Sequence, residues 1–425
     1  MRQVPEANLS AFFFAAYVLQ GFACAQFGVV GQPTQYFLLE GLSLNAGEIS
    51  LIMSIMMIPW IVKPVYGVIS DAIPFLGYRR KSYLVLGSFV GSCAFLVMAQ
   101  FCSLVPVLGS LVIAATCMAV STALMVGLAV ERGRSDGRTR SYFRIQELGY
   151  YLTNIFVVTG AGYLCHIASP EKALQVAAMI ASSCALALSV LTFFWLREPR
   201  LAAGADSESI RSRLKGIALS MNSGKVGYII LLTCLWNFTM AYGPALYYHE
   251  SRTLFFTQSL IGQLSAWMAA GMIFGAIVFG RVTKGLSLRR QCILTASLLL
   301  SSILAYGFLS TPLSAVMLEV FHGFANMFAV LTIYGLASDA CPEGVEASMM
   351  SVTVAVLNLA SCSAMFLGGQ LFTHLLGNDY GALVLFASIP PALSLLLVCQ
   401  RQEKVFPDSI KSSGDVFKGI ISGRF

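Results

Sequence analysis

The chain has 425 residues, of which 57% are hydrophobic and only 11% charged, with a mean hydropathy of +0.76. Those values exclude an ordinary soluble domain and describe a membrane protein. The net charge of +7 is carried by turns between apolar runs, so it points to topology and anionic lipid and excludes a nucleic-acid site.

Twelve apolar runs are long enough to cross roughly 30 Å of hydrocarbon. They cover residues 9–37, 48–69, 82–101, 104–130, 142–166, 173–196, 226–248, 258–280, 290–309, 312–335, 347–374 and 380–400. None alternates like a barrel strand, and Gly or Pro inside them is tolerable where neighbouring helices satisfy the freed backbone groups. The first run contains Ala23-Cys24-Ala25, which resembles a leader cleavage site, but Glu6 offsets Arg2 and the run continues past Ala25. It is therefore read as the first helix.

Between the second and third runs, "KPVYGVISDAIPFLGYRRKSYLVLG" gathers Lys63, Asp71, Arg79, Arg80 and Lys81. Lys63 stands inside a run, where it either snorkels to the interface or pairs with a carboxylate. Of the 27 Lys and Arg, Lys172 and Arg252 alone fall on one side. Arg2, the Arg79-Arg80-Lys81 turn, Arg132 to Arg144, Arg197 to Lys225, Arg281 to Arg290 and Arg401 to Arg424 fall on the other. That asymmetry predicts cytoplasmic termini. The 11 cysteines are scattered, odd in number and without a C-x-x-C, so they read as packing residues.

Three echoes link the two halves of the chain. Pro33-Thr34-Gln35-Tyr36 recurs 211 residues later as Pro244-Ala245-Leu246-Tyr247, each with an acid beyond it, Glu40 and Glu250. Arg79-Arg80 recurs as Arg289-Arg290, and Gly127-Leu128-Ala129-Val130-Glu131 as Gly335-Leu336-Ala337-Ser338-Asp339, at offsets of 210 and 208. The pattern predicts an all-α membrane protein with two pseudo-symmetric six-helix bundles, 1–200 and 226–400, a cytoplasmic linker 201–225 and a cytoplasmic tail 401–425.

This arrangement, with Gly67-x-x-x-Asp71 followed by Gly77-Tyr78-Arg79-Arg80, resembles the major facilitator superfamily. More narrowly, "IPWIVKPVYGVISDAIPFLGYRRKSYL", "GVVGQPTQYFLLEGLSLNAGEIS" and "CPEGVEASMMSVTVAVLNLA" are similar to the folate-biopterin transporter family. The resemblance spans nearly the whole chain and implies transport of folates, pterins or other organic metabolites, often with protons. One departure stands out: where that family carries acids in the fourth helix, this chain has Thr122 and Val126. That departure points to a different substrate or a relocated proton site.

Candidate site residues come from spans one, seven and ten, which line the cavity in the implied fold. In "LEVFHGFAN", Glu319, His322 and Asn326 share a helix face within roughly 60°. Glu319 and His322 are the candidates for proton coupling, with a wetted outer-end position as the alternative for Glu319. Trp236, Asn237 and Tyr242 combine flat rings and hydrogen bonders suited to a heterocycle. Gln32, Gln35 and Tyr36, with Gln26, could bind polar ring edges. Asn326 completes the substrate-binding candidates. Lys63, Asp71, Arg79, Arg80, Lys81, Glu131 and Arg144 are candidates for a cytoplasmic gate, with topology anchoring as the alternative for the basic turn.

The functional expectation is a secondary transporter of a small metabolite, folate or pterin-like by the resemblance, working by alternating access and coupled to protons. The alternatives are another organic acid, a cofactor or a siderophore. No G-x-x-x-x-G-K-[ST] supports ATP-driven transport, and the four His form no metal-binding pair. An embedded enzyme or receptor is the reading from another class. No cofactor, metal or nucleic acid is expected, and the partners expected are a small-molecule substrate, protons and membrane lipid, with the chain a monomer in a bacterial inner membrane.

Overall fold

A computed structural model describes residues 6–24, 28–136, 138–200, 224–339 and 346–400, and nearly all of them are helical. Among the described residues nine helices are long and apolar enough to cross a membrane, and Leu9–Ala23 and Val226–Asn237 are shorter apolar helices. Large apolar side chains such as Phe156, Phe194 and Leu385 stay on the outside, 73%, 77% and 64% exposed. Such a surface suits hydrocarbon and would be a liability in water. The tail 401–425, most of the expected linker 201–225 and the start of the Cys341–Ala360 motif lie outside the described residues.

The chain forms two compact units, Met1–Leu44 with Ile55–Arg211 and Asn45–Ser54 with Ser212–Phe425. The first contains α1 (Glu6–Ala23), α2 (Gly31–Tyr36), the later part of α3 (Ala46–Ile61), α4 (Lys63–Ala72), α5 (Lys81–Gln100), α6 (Leu104–Asp136), α7 (Thr139–Ile167) and α8 (Pro170–Trp195). The second contains α9 (Gly224–Asn237), α10 (Pro244–Tyr248), α11 (Gln258–Val282), α12 (Leu288–Ala305), α13 (Pro312–Asp339), α14 (Glu346–Gln370) and α15 (Tyr380–Gln400).

In the first unit Phe12, Phe13, Tyr17, Leu84, Leu124, Met125, Tyr142 and Leu188 make one buried cluster. Polar contacts tie the helices around it: Ser92 Oγ meets Ser182 Oγ at 2.9 Å, and Ser189 Oγ donates to the Val85 carbonyl at 2.9 Å. Small hydroxyls of this kind bind helices together where lipid supplies no hydrophobic drive. In the second unit Trp236, Cys292, Leu299, Ala325, Ala329 and Ile333 form the core. There Gly271 lies against the Val320 carbonyl and Gly323 against that of Met268, so α11 and α13 pack backbone to backbone. The same unit takes in the start of α3, where the Gly47 N–H donates to Thr373 Oγ1 at 2.9 Å and Gln370 Nε2 donates to the Gly47 carbonyl at 2.8 Å.

Helix starts follow their sequence signals. Ser169, Thr257 and Ser287 cap α8, α11 and α12 through their side-chain oxygens. Helix interruptions are the main departure from expectation. The first span, expected over 9–37, stops at Ala23 and resumes at Gly31. The seventh, expected over 226–248, stops at Asn237 and resumes at Pro244. Gly243 adopts φ +87, a left-handed conformation that suits glycine, and Pro244 then starts the new helix without needing an N–H partner. The second span breaks at Val62 because Pro64 cannot donate to the carbonyl of Trp60.

Candidate functional site

Glu319 and His322, one turn apart on α13, are 4% and 2% exposed. Tyr306, in the 3₁₀ turn Tyr306–Phe308 that closes α12, donates to Glu319 Oε1 at 2.8 Å. Tyr242, delivered by the break between α9 and α10, has its hydroxyl 3.3 and 3.4 Å from the two carboxyl oxygens and in contact with the Tyr306 hydroxyl. Its ring stacks on His322 with centroids 4.3 Å apart, while Tyr306 meets the imidazole edge-on at 5.9 Å. Ser302 Oγ and His322 Nδ1 share a hydrogen bond of 3.2 Å. The carboxyl thus has two phenol donors and, among the described residues, no Lys or Arg in an ion pair with it.

A second buried acid belongs to this region. Glu250, 4% exposed in the π-turn His249–Thr253, lies within electrostatic reach of Glu319, Tyr242 and Tyr380. Tyr380 donates to the Ala241 carbonyl at 3.0 Å and stacks on His249 at 4.5 Å, so it steadies both sides of the break. The arrangement can hold and pass a proton, because carboxyl, phenol and imidazole all exchange donor and acceptor roles.

The remaining expected substrate residues divide by their surroundings. Trp236 is buried and donates from Nε1 to Ser394 Oγ at 2.9 Å, and Asn237 Nδ2 donates to the Thr233 carbonyl at 2.9 Å. Asn326 is half-buried on the same helix as Glu319. Gln32, Gln35 and Tyr36 are half-buried on α2, and Gln35 Oε1 is a buried acceptor without a hydrogen-bond partner among the described residues. Gln26 lies outside the described residues.

The basic turn is built tightly. Leu76 and Gly77 adopt φ 55 and 80, and the Tyr78 N–H donates to the Phe75 carbonyl at 3.0 Å, which reverses the chain between α4 and α5. Arg80, 8% exposed, folds inward: Nη1 donates to the Leu124 carbonyl at 3.4 Å and Nη2 pairs with Glu131 at 3.3 Å. Gly127 is the bed for its guanidinium, since a Cβ there would strike Nη1. The Glu198 carboxylate accepts the backbone N–H groups of Arg80 and Lys81 at 3.2 and 2.8 Å, complementing the start of α5. Lys81 lies over Phe193 at 5.5 Å, Arg79 is half-buried, Asp71 is in the last turn of α4, and Arg144 is exposed on α7. Lys63 instead sits at the α3–α4 break, its ammonium 5.3 Å from the centre of the Trp60 ring.

The sequence places Arg80 and Glu131 in one candidate group, which the structure joins in an ion pair; it sets Tyr242 among substrate candidates apart from Glu319, which the structure brings together, and it does not single out Tyr306, Ser302 or Tyr380. No spacing rule connects those three to Glu319 and His322: Tyr306 reaches Glu319, Ser302 reaches His322 and Tyr380 reaches the Ala241 carbonyl, each from another helix or turn. Glu250 carried one signal, the acid that follows both copies of the repeated Pro motif.

The sequence model of the BT1 family matches residues 21–399. Among curated proteins the chain is similar to the folate-biopterin transporter of Synechocystis sp., 25% identical over 369 residues that cover 82% of this chain and 73% of the relative. It is also similar to folate transporter 1 of Plasmodium falciparum, 23% identical over 354 residues, 79% of this chain and 68% of the relative. Among solved structures it matches the nucleoside transporter NupG with a TM-score of 0.71 at 12% identity, covering 93% of this chain and 99% of the other. That likeness establishes a major facilitator fold.

Proposed function

This chain belongs to the BT1 family, and we propose that it is a secondary transporter that carries a folate or pterin-like metabolite across a membrane by alternating access, driven by protons. The observation that carries the coupling is Glu319, buried inside a helix bundle with phenol donors and no cation in contact among the described residues. An ionised carboxyl is costly there, and a proton is the smallest partner that neutralises it.

The hydrogen bonds supply a route from that proton to motion. Ionised Glu319 accepts from both phenols, whereas protonated Glu319 must itself donate, so one phenol turns from donor to acceptor. Tyr242 stands in the break of the seventh span, and a change in its hydroxyl therefore reaches a part of the backbone already free of helical hydrogen bonds. His322, stacked on Tyr242, holds the ring in place or accepts the displaced proton. In the first unit Gln32, Gln35 and Tyr36, and in the second Tyr242 and Asn326 with Trp236 and Asn237 in support, are the groups offered to a polar heterocycle. Asp71, Arg79, Arg80, Lys81, Glu131 and Arg144 work as the cytoplasmic gate, with Lys63 deeper in the span. Twelve spans in two bundles, both termini cytoplasmic, and a monomer in a bacterial inner membrane complete the reading, supported by the one-sided placement of Lys and Arg.

The fourth span favours a second substrate reading. Thr122 Oγ1 is engaged by the Met118 carbonyl at 2.8 Å and Val126 is apolar, so this span presents no acid at either position. Another organic acid, a cofactor or a siderophore is the alternative cargo. Uptake into proteoliposomes, with and without a pH gradient, against pterins, folates and other organic acids tests both readings. Gradient-dependent uptake of a pteridine is expected, and uptake only of a non-pteridine would replace the cargo.

A further inference from the structure

Ser169, Thr257 and Ser287 cap the helices they precede, whereas α5 starts after Arg80 without a side-chain cap of its own. Its cap is borrowed from 118 residues away. Glu198 Oε2 accepts the N–H groups of both Arg80 and Lys81, at 3.2 and 2.8 Å. Glu198 belongs to a non-helical stretch, 196–200, that follows α8 and lies against the basic turn at further points. Arg200 Nε donates to the Tyr78 hydroxyl at 3.2 Å, and the Arg200 guanidinium stands 5.6 Å from the centre of the Tyr78 ring. From the far end of α6, Arg132 Nη2 donates to the Arg197 carbonyl at 3.0 Å. Lys81 lies over Phe193 in the last turn of α8.

These contacts close a circuit within the first unit. The α6 helix holds the Arg80 side chain through Glu131 and the Leu124 carbonyl, and it holds the stretch after α8 through Arg132. That stretch in turn holds the Arg80 backbone through Glu198. The backbone of Arg80 decides where its side chain begins, and the guanidinium has little room to search, because it lies buried against Gly127. A carboxylate on two N–H groups at a helix start makes charge-assisted bonds and complements the helix dipole. The second unit solves the same turn differently. There α12, which carries the Arg289-Arg290 echo, is capped by its neighbour Ser287, and Arg289 goes to the Val398 and Cys399 carbonyls. The borrowed cap is thus particular to the turn that bears Asp71, Arg79, Arg80 and Lys81.

We propose that Glu198 is the positioning residue of the cytoplasmic gate. By capping α5 it sets the basic turn so that Arg80 meets Glu131, and its withdrawal uncaps the helix and lets Arg80 leave. The inference rests on the gate proposed above. Glu198 acts through Arg80 and holds no cargo, so its loss slows turnover and leaves substrate affinity alone.

The test uses the full chain and two readouts. Amide hydrogen exchange over residues 78–86, measured in nanodiscs, is expected to quicken about tenfold in Glu198→Ala, the worth of one lost cap. Glu198→Gln, which keeps an acceptor without the charge, is expected to fall between that variant and wild type. Folate uptake into proteoliposomes, per inserted protein, is expected to drop in the same order. The maximal rate falls by about five- to tenfold in Glu198→Ala, while the half-saturating concentration stays within about twofold of wild type. Should Glu198→Ala fail to fold, Glu198→Gln carries both readouts. Glu198→Gln indistinguishable from wild type in both reduces Glu198 to a space-filling side chain and overturns the proposal. A raised half-saturating concentration at unchanged maximal rate overturns it as well. Arg80→Gln separates the gate from its positioning: slowed Arg80→Gln beside unchanged Glu198→Ala overturns the role of Glu198 alone, and unchanged uptake in both overturns the gate. If wild type moves no folate, exchange decides, with quickening over residues 78–86 upholding the cap and unchanged exchange overturning it.

Discussion

After its break, the first span runs through α2 into a π-turn at Phe37–Gly41 and then Ser43 at φ 55. The seventh span runs through α10 into a π-turn at His249–Thr253 and then Phe255 at φ 54. The two backbones repeat each other closely, as the repeated Pro motif suggests. Their side chains do not. In the first, Gln35 Oε1 and Thr34 Oγ1 are buried without hydrogen-bond partners among the described residues. In the second, Tyr242 is tied into Glu319, Tyr306 and His322. A buried orphan acceptor is a place for a donor that arrives, whereas a satisfied carboxyl network is a place for a proton. The repeated helix break is thus a shared scaffold whose two copies carry different side-chain contacts.

The largest effect that could break this division lies in the second copy. Glu319→Gln should abolish accumulation driven by a pH gradient while sparing substrate exchange, since the amide imitates the protonated acid. Proteoliposome uptake and counterflow measure the two, and gradient-driven accumulation surviving in the variant would move the coupling elsewhere. In the first copy, Gln35→Leu should weaken substrate binding by roughly tenfold while leaving thermal stability equal or higher, because it removes an unpaired acceptor of similar size. Lower stability with unchanged affinity would make Gln35 a packing residue.

A subtler comparison uses the repeated glycines after spans four and ten. Gly127 lies against the Arg80 guanidinium, whereas a Cβ at Gly335 would enter open space. Gly127→Ala should therefore cost about 1–3 kcal/mol by displacing Arg80 from the Leu124 carbonyl and Glu131, and Gly335→Ala should be neutral or stabilising by up to about 1 kcal/mol. Thermal unfolding in detergent reads both, and equal shifts would erase the asymmetry. The smallest expected effect leaves function alone: a cysteine at Ser207 should be shielded from an impermeant thiol reagent in intact cells, and one at Asp379 should react. Labelling at Ser207 from outside would reverse the orientation.

The arginine pairs show why motif and role separate. Arg80 packs against Gly127 and Glu131, as its place beside a repeated motif allows. Its echo, Arg290, is exposed, while the neighbouring Arg289 reaches the carbonyls of Val398 and Cys399 at 3.3 and 2.6 Å at the end of α15. Nothing in the repeated residues themselves distinguishes the two outcomes, since a guanidinium suits a carboxylate and a helix C-terminus equally well.

Membrane class, helical character, the positions of most spans and the two-fold repeat could be read from the residues alone, because hydrocarbon thickness, charge bias and caps act over one or two turns of chain. So could the pairing of Glu319 with His322, fixed by helical spacing. The interruption of spans one and seven was not readable, since their apolar runs continue through the breaks. The cluster around Glu319 depended on tertiary structure in a stronger sense. Tyr306 and Tyr242 come to Glu319 across 13 and 77 residues of sequence. Which polar groups meet, and which are left waiting for a ligand, is decided by how helices pack against one another, and no single helix carries that information.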